Sequence, residues 1–535
     1  MADIEHVFVL MMENRSYDNL LGYSGFKGKD PRTGKTVSAN DLTTSQQFNL
    51  SARNKKYAVT KGAPYSLGRD PGHEFTDMIV ALSGLGTLPK SEDKIREAIQ
   101  QDLYKCQNGV YPAPQKDPNK FGFALAYDYE GAKHPDDVLK CFSPEQLPVL
   151  NTLAKEYVVC DNWFCAMPGP TWPNRFFALC GSSGGLDHSP TNNRAGASSA
   201  LRIDGFEFQY GNIFEKFGDD WLVAYGKDDF AQAGAIKALE KETAGKHFVY
   251  HADLYRKLRE GTLESKFTWI EPSYDSLANY RFGNSMHPNG DVRWGEAFIK
   301  EFYENLRKSK YWEKSVLLVV FDENGGFFDH AVPPGPDANL IPGDKPTDPD
   351  NNKHDFKFDA LGPRVPALII SPWVEKGGVD KTLYHHGSII KTASEMFGFK
   401  PEMGNRVDGA SSFLPVLTRK TPRTDAPEVL PEPAWNWLSK AYWEAVTYLR
   451  DRTAIGPVLD KGRRVLDPFV RFFNRAGACA DAFRSVAARM HIEKIRKDKG
   501  DEAAQSVETA MRALKGEKEI EQYLKKQVGI YRKGR

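Results

Sequence analysis

An unbroken apolar run, Val7 to Met12, stops abruptly at Glu13-Asn14-Arg15-Ser16. A second run, Ser315 to Phe321, stops as abruptly at Asp322-Glu323. Short continuous apolar runs, rich in β-branched and aromatic residues and bounded by turn formers or charges, predict strands buried on both faces. The pattern recurs at Tyr157–Phe164, Trp221–Tyr225, Phe267–Ile270 and Val365–Ser371. Between two of these runs lies Val292–Lys308, in which Ala297, Phe298, Phe302 and Leu306 fall at helical spacing. Strand, helix, strand is the order of an α/β sheet, and in open α/β sheets chemistry sits beyond the carboxyl ends of the strands. Four oxygen-donor side chains, Glu13, Asn14, Asp322 and Glu323, fall at two such ends and suggest a divalent metal site in an enzyme.

Segments 27–70 and 330–362, rich in Lys, Asp, Asn, Pro and Gly, read as long surface loops. After TPRTDAPEVLPEPAW, proline-marked like a linker, the pattern turns helical and basic. Residues 431–535 carry 22 Lys and Arg against 14 Asp and Glu, a net +8, which leaves 50 against 57, or −7, for the remainder. Two units are therefore expected: 1–425 with the chemistry, and 426–535 as a basic, mostly helical extension. Within the extension, GRRVLDPFVRFFNRAG sets Val465, Leu466, Phe469, Phe472 and Phe473 among arginines. Two readings stay open for it: its apolar residues dock onto the first unit, or it lies on an anionic membrane surface.

The whole chain of 535 residues balances to +1, so no nucleic-acid partner is expected. No run approaches the 18 apolar residues of a membrane-spanning helix. The opening MADIEHVF lacks a basic segment and a cleavage site, which predicts a cytoplasmic protein, with signal-independent secretion as the alternative. Six cysteines in so long a chain, without the paired spacings of a zinc knuckle, read as buried packing residues rather than a disulfide framework.

In MPGPTWPNRFFALCGSS, Gly169, Pro170 and Pro173 force a tight turn, with Thr171 just before a helix predicted to start near Asn174. Alone, such a threonine is more often a helix N-cap. A hydroxyl at a helix N-terminus also lies beside unpaired N–H groups that favour an anion, and a metal or base would make it a nucleophile toward phosphorus. Histidines stand in Gly- and Pro-flanked polar loops: His73 in DPGHEF, His287 in NSMHPNGD, His330 in FFDHAVPP, and His385-His386 in YHHGS. They are candidates for general acid, phosphate clamp or the surroundings of a metal. Asp329 is placed to orient a ring or bind metal. Arg15 and Arg175 suit either a phosphate or an internal ion pair.

The motifs ENRSYDNLLG, DPGHEF, GPTWPNRFF, WIEPSY, HPNGDVRWGEAFI, FDENGGFFDHAVPP, RVPALIISPW and HHGSI occur in one order. Together they resemble the bacterial phospholipase C and acid phosphatase family of phosphoesterases, which includes the plant non-specific phospholipases C. The resemblance spans roughly residues 4–420. It implies an alkaline phosphatase-like three-layer α/β/α sandwich, with the C-terminal helical extension lying beyond it. It implies a divalent metal (Zn, Ca, Mg or Mn) held by Glu13, Asn14, Asp322 and Glu323, with the nucleophile Thr171 joining the shell. His73, His287, His330 and His386 become phosphate-pocket or leaving-group residues by motif position; for Arg15 and Arg175 the phosphate and ion-pair readings both stay open. The threonine and the FDEN motif are similar to the phospholipase branch, which implies a phospholipid substrate of the phosphatidylcholine type, cleaved through a phosphothreonine. Relatives often flank the last histidine with an acidic residue and a threonine, where this chain has His385-His386-Gly387-Ser388, and the tail after 425 has no counterpart. The competing readings are an acid phosphatase of soluble monoesters and an inactive membrane-binding effector. A sulfatase is disfavoured because the nucleophile position lacks the C/S-x-P-x-R setting.

Overall fold

The computed structural model describes residues 2–84, 112–190, 205–226, 229–274, 283–335, 343–344 and 351–435, with residues 97, 280, 440 and 443. The chain divides into two compact units, Met1–Ala434 and Trp435–Arg535. The amphipathic stretch 462–477, Cys106 and Cys479 lie outside the described residues. Among those that are described, no helix is long and apolar enough to cross a membrane.

Eight strands form the central sheet: β1 (His6–Met12), β2 (Val158–Cys160), β3 (Trp221–Tyr225), β4 (Phe248–Tyr250), β5 (Phe267–Ile270), β6 (Ser315–Phe321), β7 (Ala367–Ile370) and β8 (Gly378–Asp380). Their order is β4-β3-β5-β1-β6-β7-β2-β8. Strand β7 runs antiparallel to both neighbours and every other pairing is parallel. The two longest strands, β1 and β6, are central, and every residue of both is buried. This is why their sequences carry no polar alternation.

Helices that bear on the site are α1 (Tyr17–Leu21), α2 (Phe75–Ser83), α3 (Pro148–Glu156), α4 (Thr171–Cys180), α5 (His251–Glu260), α6 (Val292–Arg307) and α7 (Gly387–Phe397). Side chains alternate across a strand, so neighbours in sequence meet different layers. Phe8 of β1 meets Phe302 of α6, ring centroids 5.6 Å apart. Phe298 of α6 packs on His251 of α5 at 4.7 Å, and Glu296 of α6 accepts the Leu150 N–H of α3 at 2.8 Å. Phe267 of β5, which is paired with Val7 and so faces the opposite side, stacks on Phe217 at 5.2 Å; Phe217 meets Phe397 of α7 at 5.2 Å. The sheet is thus a middle layer between two helical ones, an α/β fold as expected.

Four of the six apolar runs are strands to within a residue of the predicted bounds. Tyr157–Phe164 instead breaks at Asp161-Asn162 into β2 and a short pair of residues, Trp163–Phe164, bonded to Tyr384–His385. Val365–Ser371 narrows to β7. Segment 27–70 is less loop-like than its composition suggests. It holds two antiparallel ladders, Lys27–Lys29 with Thr36–Ser38 and Phe48–Leu50 with Lys56–Ala58, which satisfy backbone groups locally. Residues 426–430 are fastened along α6: Tyr303 donates to the Pro427 carbonyl at 2.5 Å and Lys300 to that of Leu430 at 2.8 Å, with Ala426 and Leu430 buried. The four described cysteines, Cys141, Cys160, Cys165 and Cys180, are free and buried.

Phe302 is fully buried at the join of β1 and α6. Replacing it with alanine is expected to lower unfolding free energy by about 3–5 kcal/mol, read as a shifted denaturant midpoint at unchanged slope. A loss below about 1 kcal/mol would show that α6 does not anchor the sheet there.

Candidate active site

The parallel register of β1 and β6, Met12 opposite Phe321, delivers Glu13-Asn14 and Asp322-Glu323 to one edge together. Backbone bonds lock the two ends. Asn14 and Glu323 both donate N–H to Asp322 Oδ1, at 3.0 and 2.7 Å, and the Arg15 N–H reaches the Glu323 carbonyl at 3.0 Å. Asn14 sits at φ 58°, a left-handed conformation that asparagine tolerates better than most residues. Gly325 is required here as well: its φ is 60° and a Cβ would lie 2.2 Å from the Asn14 carbonyl oxygen.

Thr171 enters from α4. The helix begins at Thr171 itself, earlier than predicted, and Pro170 is the capping residue, so the threonine hydroxyl is not an N-cap. Asn174 shapes the preceding turn. Its Oδ1 accepts the Met167 N–H at 3.1 Å, and its Nδ2 donates to the Gly169 and Pro170 carbonyls at 3.1 and 3.0 Å. Thr171 Oγ donates to Asn14 Oδ1 at 3.2 Å. It is half-buried, whereas Glu13, Asn14, Asp322 and Glu323 are buried. The hydroxyl therefore stands at the mouth of the acidic cluster, on the helix end that attracts anions.

Glu13 Oε1 and Glu323 Oε1 are buried with no hydrogen-bond partner. Burial, reinforced by Asp322, pushes the Glu13 carboxyl well up. Burial likewise raises Glu323 to about 8, with Asp322 adding and His73 opposing. Orphaned carboxylate oxygens beside an amide oxygen, packed against like charges, fit a hard divalent cation, which would satisfy the oxygens and relieve the repulsion.

Arg175 takes the ion-pair role of the two its sequence allowed. Its Nε donates to Asp322 Oδ2 at 2.9 Å and Nη2 to the Met11 and Met12 carbonyls at 3.2 and 3.1 Å. Arg15 bonds the Met286 carbonyl at 2.7 Å and Asn19 Oδ1 at 3.3 Å, with its guanidinium 4.6 Å from the Phe327 ring. One nitrogen of each, Nη1 of Arg175 and Nη2 of Arg15, has no partner. The fork needed for a bidentate phosphate clamp is not offered by either.

The histidines separate into two groups. His73 and His287 gather beside the cluster, ring centroids 6.3 Å apart. His73 Nδ1 donates to the Pro71 carbonyl at 2.7 Å, and Nε2 lies 3.2 Å from Asn14 Nδ2. Burial opposes charge on His73, yet Glu323 and Asp70 overcome it and raise the ring to about 10. The bond from Asn14, by contrast, suits a neutral ring. With Nδ1–H held by Pro71, that contact is a hydrogen bond only while Nε2 is unprotonated; charging the ring would set Nε2–H against the Asn14 amide and break it, and the carboxylates that favour charge are ones a cation would neutralise. Nε2 is thus the nitrogen whose proton is exchangeable. His287 stacks on Tyr280 at 3.7 Å and lies 3.4 Å from Asp70, with its Nδ1 accepting the Asn289 N–H at 3.3 Å.

His330 and His386 are engaged elsewhere. His330 bonds Asp18 Oδ2 through Nδ1 at 2.7 Å and Asn40 Oδ1 through Nε2 at 2.9 Å. Asp18, Asp329 and His330 cluster closely enough to hold a metal. Their acceptor atoms, however, are taken: Arg364 donates to Asp18 at 3.0 Å and to Asp329 at 3.1 Å, and the Asp18 and Ala331 N–H groups bond the Asp329 carboxylate. Among the described residues that close spacing of three donors is met there alone; what distinguishes Glu13 and Glu323 is that each keeps an oxygen with no partner. His386 is enclosed. Fully buried, it donates Nε2–H to the Asp322 carbonyl at 2.5 Å and accepts the Trp163 indole N–H at 3.2 Å, and burial lowers it to about 4. Both of its ring nitrogens are thus engaged, one of them on the residue that ends the site strand. Asp70, Tyr280 and Asn40 were not anticipated. Asp70 opens the DPGHEF motif, three residues before His73, which was the available signal; Tyr280 and Asn40 had none.

A carboxyl raised from 4.5 to about 8 on folding binds protons more tightly in the native state. Its stabilising contribution is full below pH 4.5 and lost as pH rises through about 8. The metal-free protein is therefore expected to lose melting temperature between pH 5 and 8, with Glu323→Gln flattening that slope and an added divalent cation raising wild-type Tm more at pH 8 than at pH 5. A slope unaffected by the substitution contradicts the assignment.

The Phosphoesterase family model matches residues 4–400. Non-specific phospholipase C3 of Arabidopsis thaliana is 30% identical over 444 residues, covering 81% of this chain and 76% of that protein. Phospholipase C B of Mycobacterium tuberculosis is 27% identical over 430 residues, covering 74% of each. Among solved structures, an alkaline phosphatase superfamily protein from Vibrio parahaemolyticus aligns over 51% of this chain and 66% of its own at 17% identity and a TM-score of 0.30. With a family match across most of its length, the chain belongs to the Phosphoesterase family and is a hydrolase of phosphoric diesters.

Proposed function

We propose that the chain is a metal-dependent phospholipase C that cleaves phosphatidylcholine-type lipids to diacylglycerol and a phosphorylated head group. The observation that carries this is the half-buried Thr171 hydroxyl held 3.2 Å from Asn14 Oδ1 at the edge of three buried carboxylates. The phospholipase C relatives supply the substrate class.

Glu13, Asn14, Asp322 and Glu323, with Thr171, would hold the cation, whose chemistry is to lower the hydroxyl's pKa and neutralise charge on the phosphoryl oxygens. Asn14 and the start of α4 orient Thr171 so that Oγ attacks phosphorus in line, its own proton lost to solvent. The Oγ–P bond forms as the bond from phosphorus to the glycerol oxygen breaks. His73 is the proton donor of this scheme, giving Nε2–H to the departing alkoxide, which leaves as diacylglycerol. Water then attacks the phosphothreonine and returns a proton to His73, the phosphorus–Oγ bond breaks to release the head-group phosphate, and Thr171 Oγ regains its proton from solvent. His386 and Arg175 keep Asp322 in place throughout, the first through its carbonyl and the second through its carboxylate.

Phosphatidylcholine liposomes are expected to yield diacylglycerol in a chelator-sensitive reaction, and Thr171→Ala to lower kcat by about three orders of magnitude or more. His73→Gln is expected to lower kcat on lipid by about 10²–10⁴-fold, and by far less on a p-nitrophenyl ester, whose leaving group needs no proton. Release of phosphate from soluble monoesters without any lipid product would assign an acid phosphatase instead. Substantial turnover by Thr171→Ala would remove the threonine from the mechanism.

A further inference from the structure

Aromatic side chains gather on the nucleophile's side of the site. Trp172 directly follows Thr171, and its indole lies near-parallel to Phe230, centroids 6.2 Å and planes 12° apart. Phe176 and Phe206 back the indole at 5.9 and 6.3 Å. Both are buried, while Trp172 and Phe230 are half-buried. Phe230 continues to Tyr274 at 6.1 Å, and the Tyr274 ring carries the Arg175 guanidinium at 5.2 Å. Since Arg175 holds Asp322, this aromatic wall runs from the nucleophile round to the acidic cluster. Asp229 stands at its foot, half-buried, accepting the Phe230 N–H at 3.0 Å and the Tyr274 N–H.

Packing alone accounts for Phe176 and Phe206, which are enclosed. It does not account for two half-buried aromatic faces beside a carboxylate and next to the reactive hydroxyl. The stereochemistry of an in-line displacement says what meets them. The departing alcohol lies opposite Thr171 Oγ, and the group that stays on phosphorus lies to the side, flanking the nucleophile. In a phospholipase C reaction the departing alcohol is diacylglycerol and the group that stays is the head group. Trp172, directly after the nucleophile and half-buried, is thus on the flank where the head group stands rather than opposite Oγ where the acyl chains leave, and this placement is part of what is proposed. Aromatic faces attract a cation through their quadrupole, tryptophan most strongly, and such faces are the common receptor for quaternary ammonium groups. A glycerol or inositol head group needs hydrogen-bond partners, which ring faces lack. A primary ammonium is a compact, strongly hydrated charge that wants acceptors in place of its water.

We propose that Trp172 and Phe230, with the charge of Asp229 behind them, form a head-group subsite that selects a trimethylammonium group, and so choline over uncharged head groups. The inference rests on the phospholipase C reading of the site. Its test compares kcat/KM of the full chain on monomeric dihexanoylphosphatidylcholine and dihexanoylphosphatidylglycerol. Wild type is expected to favour the choline lipid; Trp172→Leu should lower the choline-to-glycerol ratio about tenfold, and Trp172→Phe should retain most of it. Phe230→Leu provides a second, independent variant with the same expected direction. A ratio unchanged in folded Trp172→Leu and Phe230→Leu overturns the subsite, even where both rates fall. Calorimetric titration with phosphocholine and with glycerol phosphate separates this from the parent reading. If neither lipid is cleaved, tighter binding of phosphocholine that Trp172→Leu abolishes still supports the subsite while counting against a phospholipase C; equal binding of the two overturns the subsite in either case.

Discussion

Three carboxylates, Glu13, Asp322 and Glu323, are buried side by side at the ends of the two central strands, and one guanidinium, that of Arg175, is bonded to Asp322 alone. Burying like charges in a low-dielectric interior is unfavourable unless something compensates them. Two orphaned oxygens and two raised carboxyls are the signs that compensation is incomplete within the described protein groups. In the proposed enzyme, the same imbalance that destabilises the metal-free fold would give the site affinity for a cation. Stability and chemistry are thus coupled through one cluster.

The surrounding structure serves to hold that cluster still. Full burial of β1 and β6 between helical layers fixes their register, and the register fixes which residues emerge together. Gly325 permits the close approach of the second strand's loop to Asn14. His386 and Arg175 grip Asp322 from its carbonyl and its carboxylate. Asn174 sets the turn that presents Thr171. In the separate network of Asp18, Asp329, His330 and Arg364, both carboxylates are bonded to Arg364 and Asp18 also to His330, so a similar set of donors there has its acceptor atoms engaged by protein groups.

Much of this was legible in the chain because it rests on local pattern. Fully buried strands leave continuous apolar runs, so β1, β3, β5 and β6 could be read directly, as could the amphipathic α6. The acid residues at the ends of β1 and β6 were visible for the same reason. The edge strands β4 and β8 were not, because three residues are too few to show a period. Contacts set by tertiary placement were equally hidden. No local signal distinguishes His73, beside Asn14, from His386, enclosed by Trp163 and Asp322, or shows that Arg175 is bonded to a carboxylate. The aromatic wall was also invisible, since Trp172, Phe230 and Tyr274 come from three separate segments.

The central claim is that Thr171 becomes covalently phosphorylated by its substrate. Rapid acid quench of the enzyme during turnover of dihexanoylphosphatidylcholine, followed by mass spectrometry of the peptide spanning residues 167–183, tests it most directly. The account predicts a phosphocholine adduct on Thr171 that appears within the first turnover and decays when substrate is exhausted. Full turnover with that peptide unmodified at every quench time, or an adduct on another residue, would contradict it.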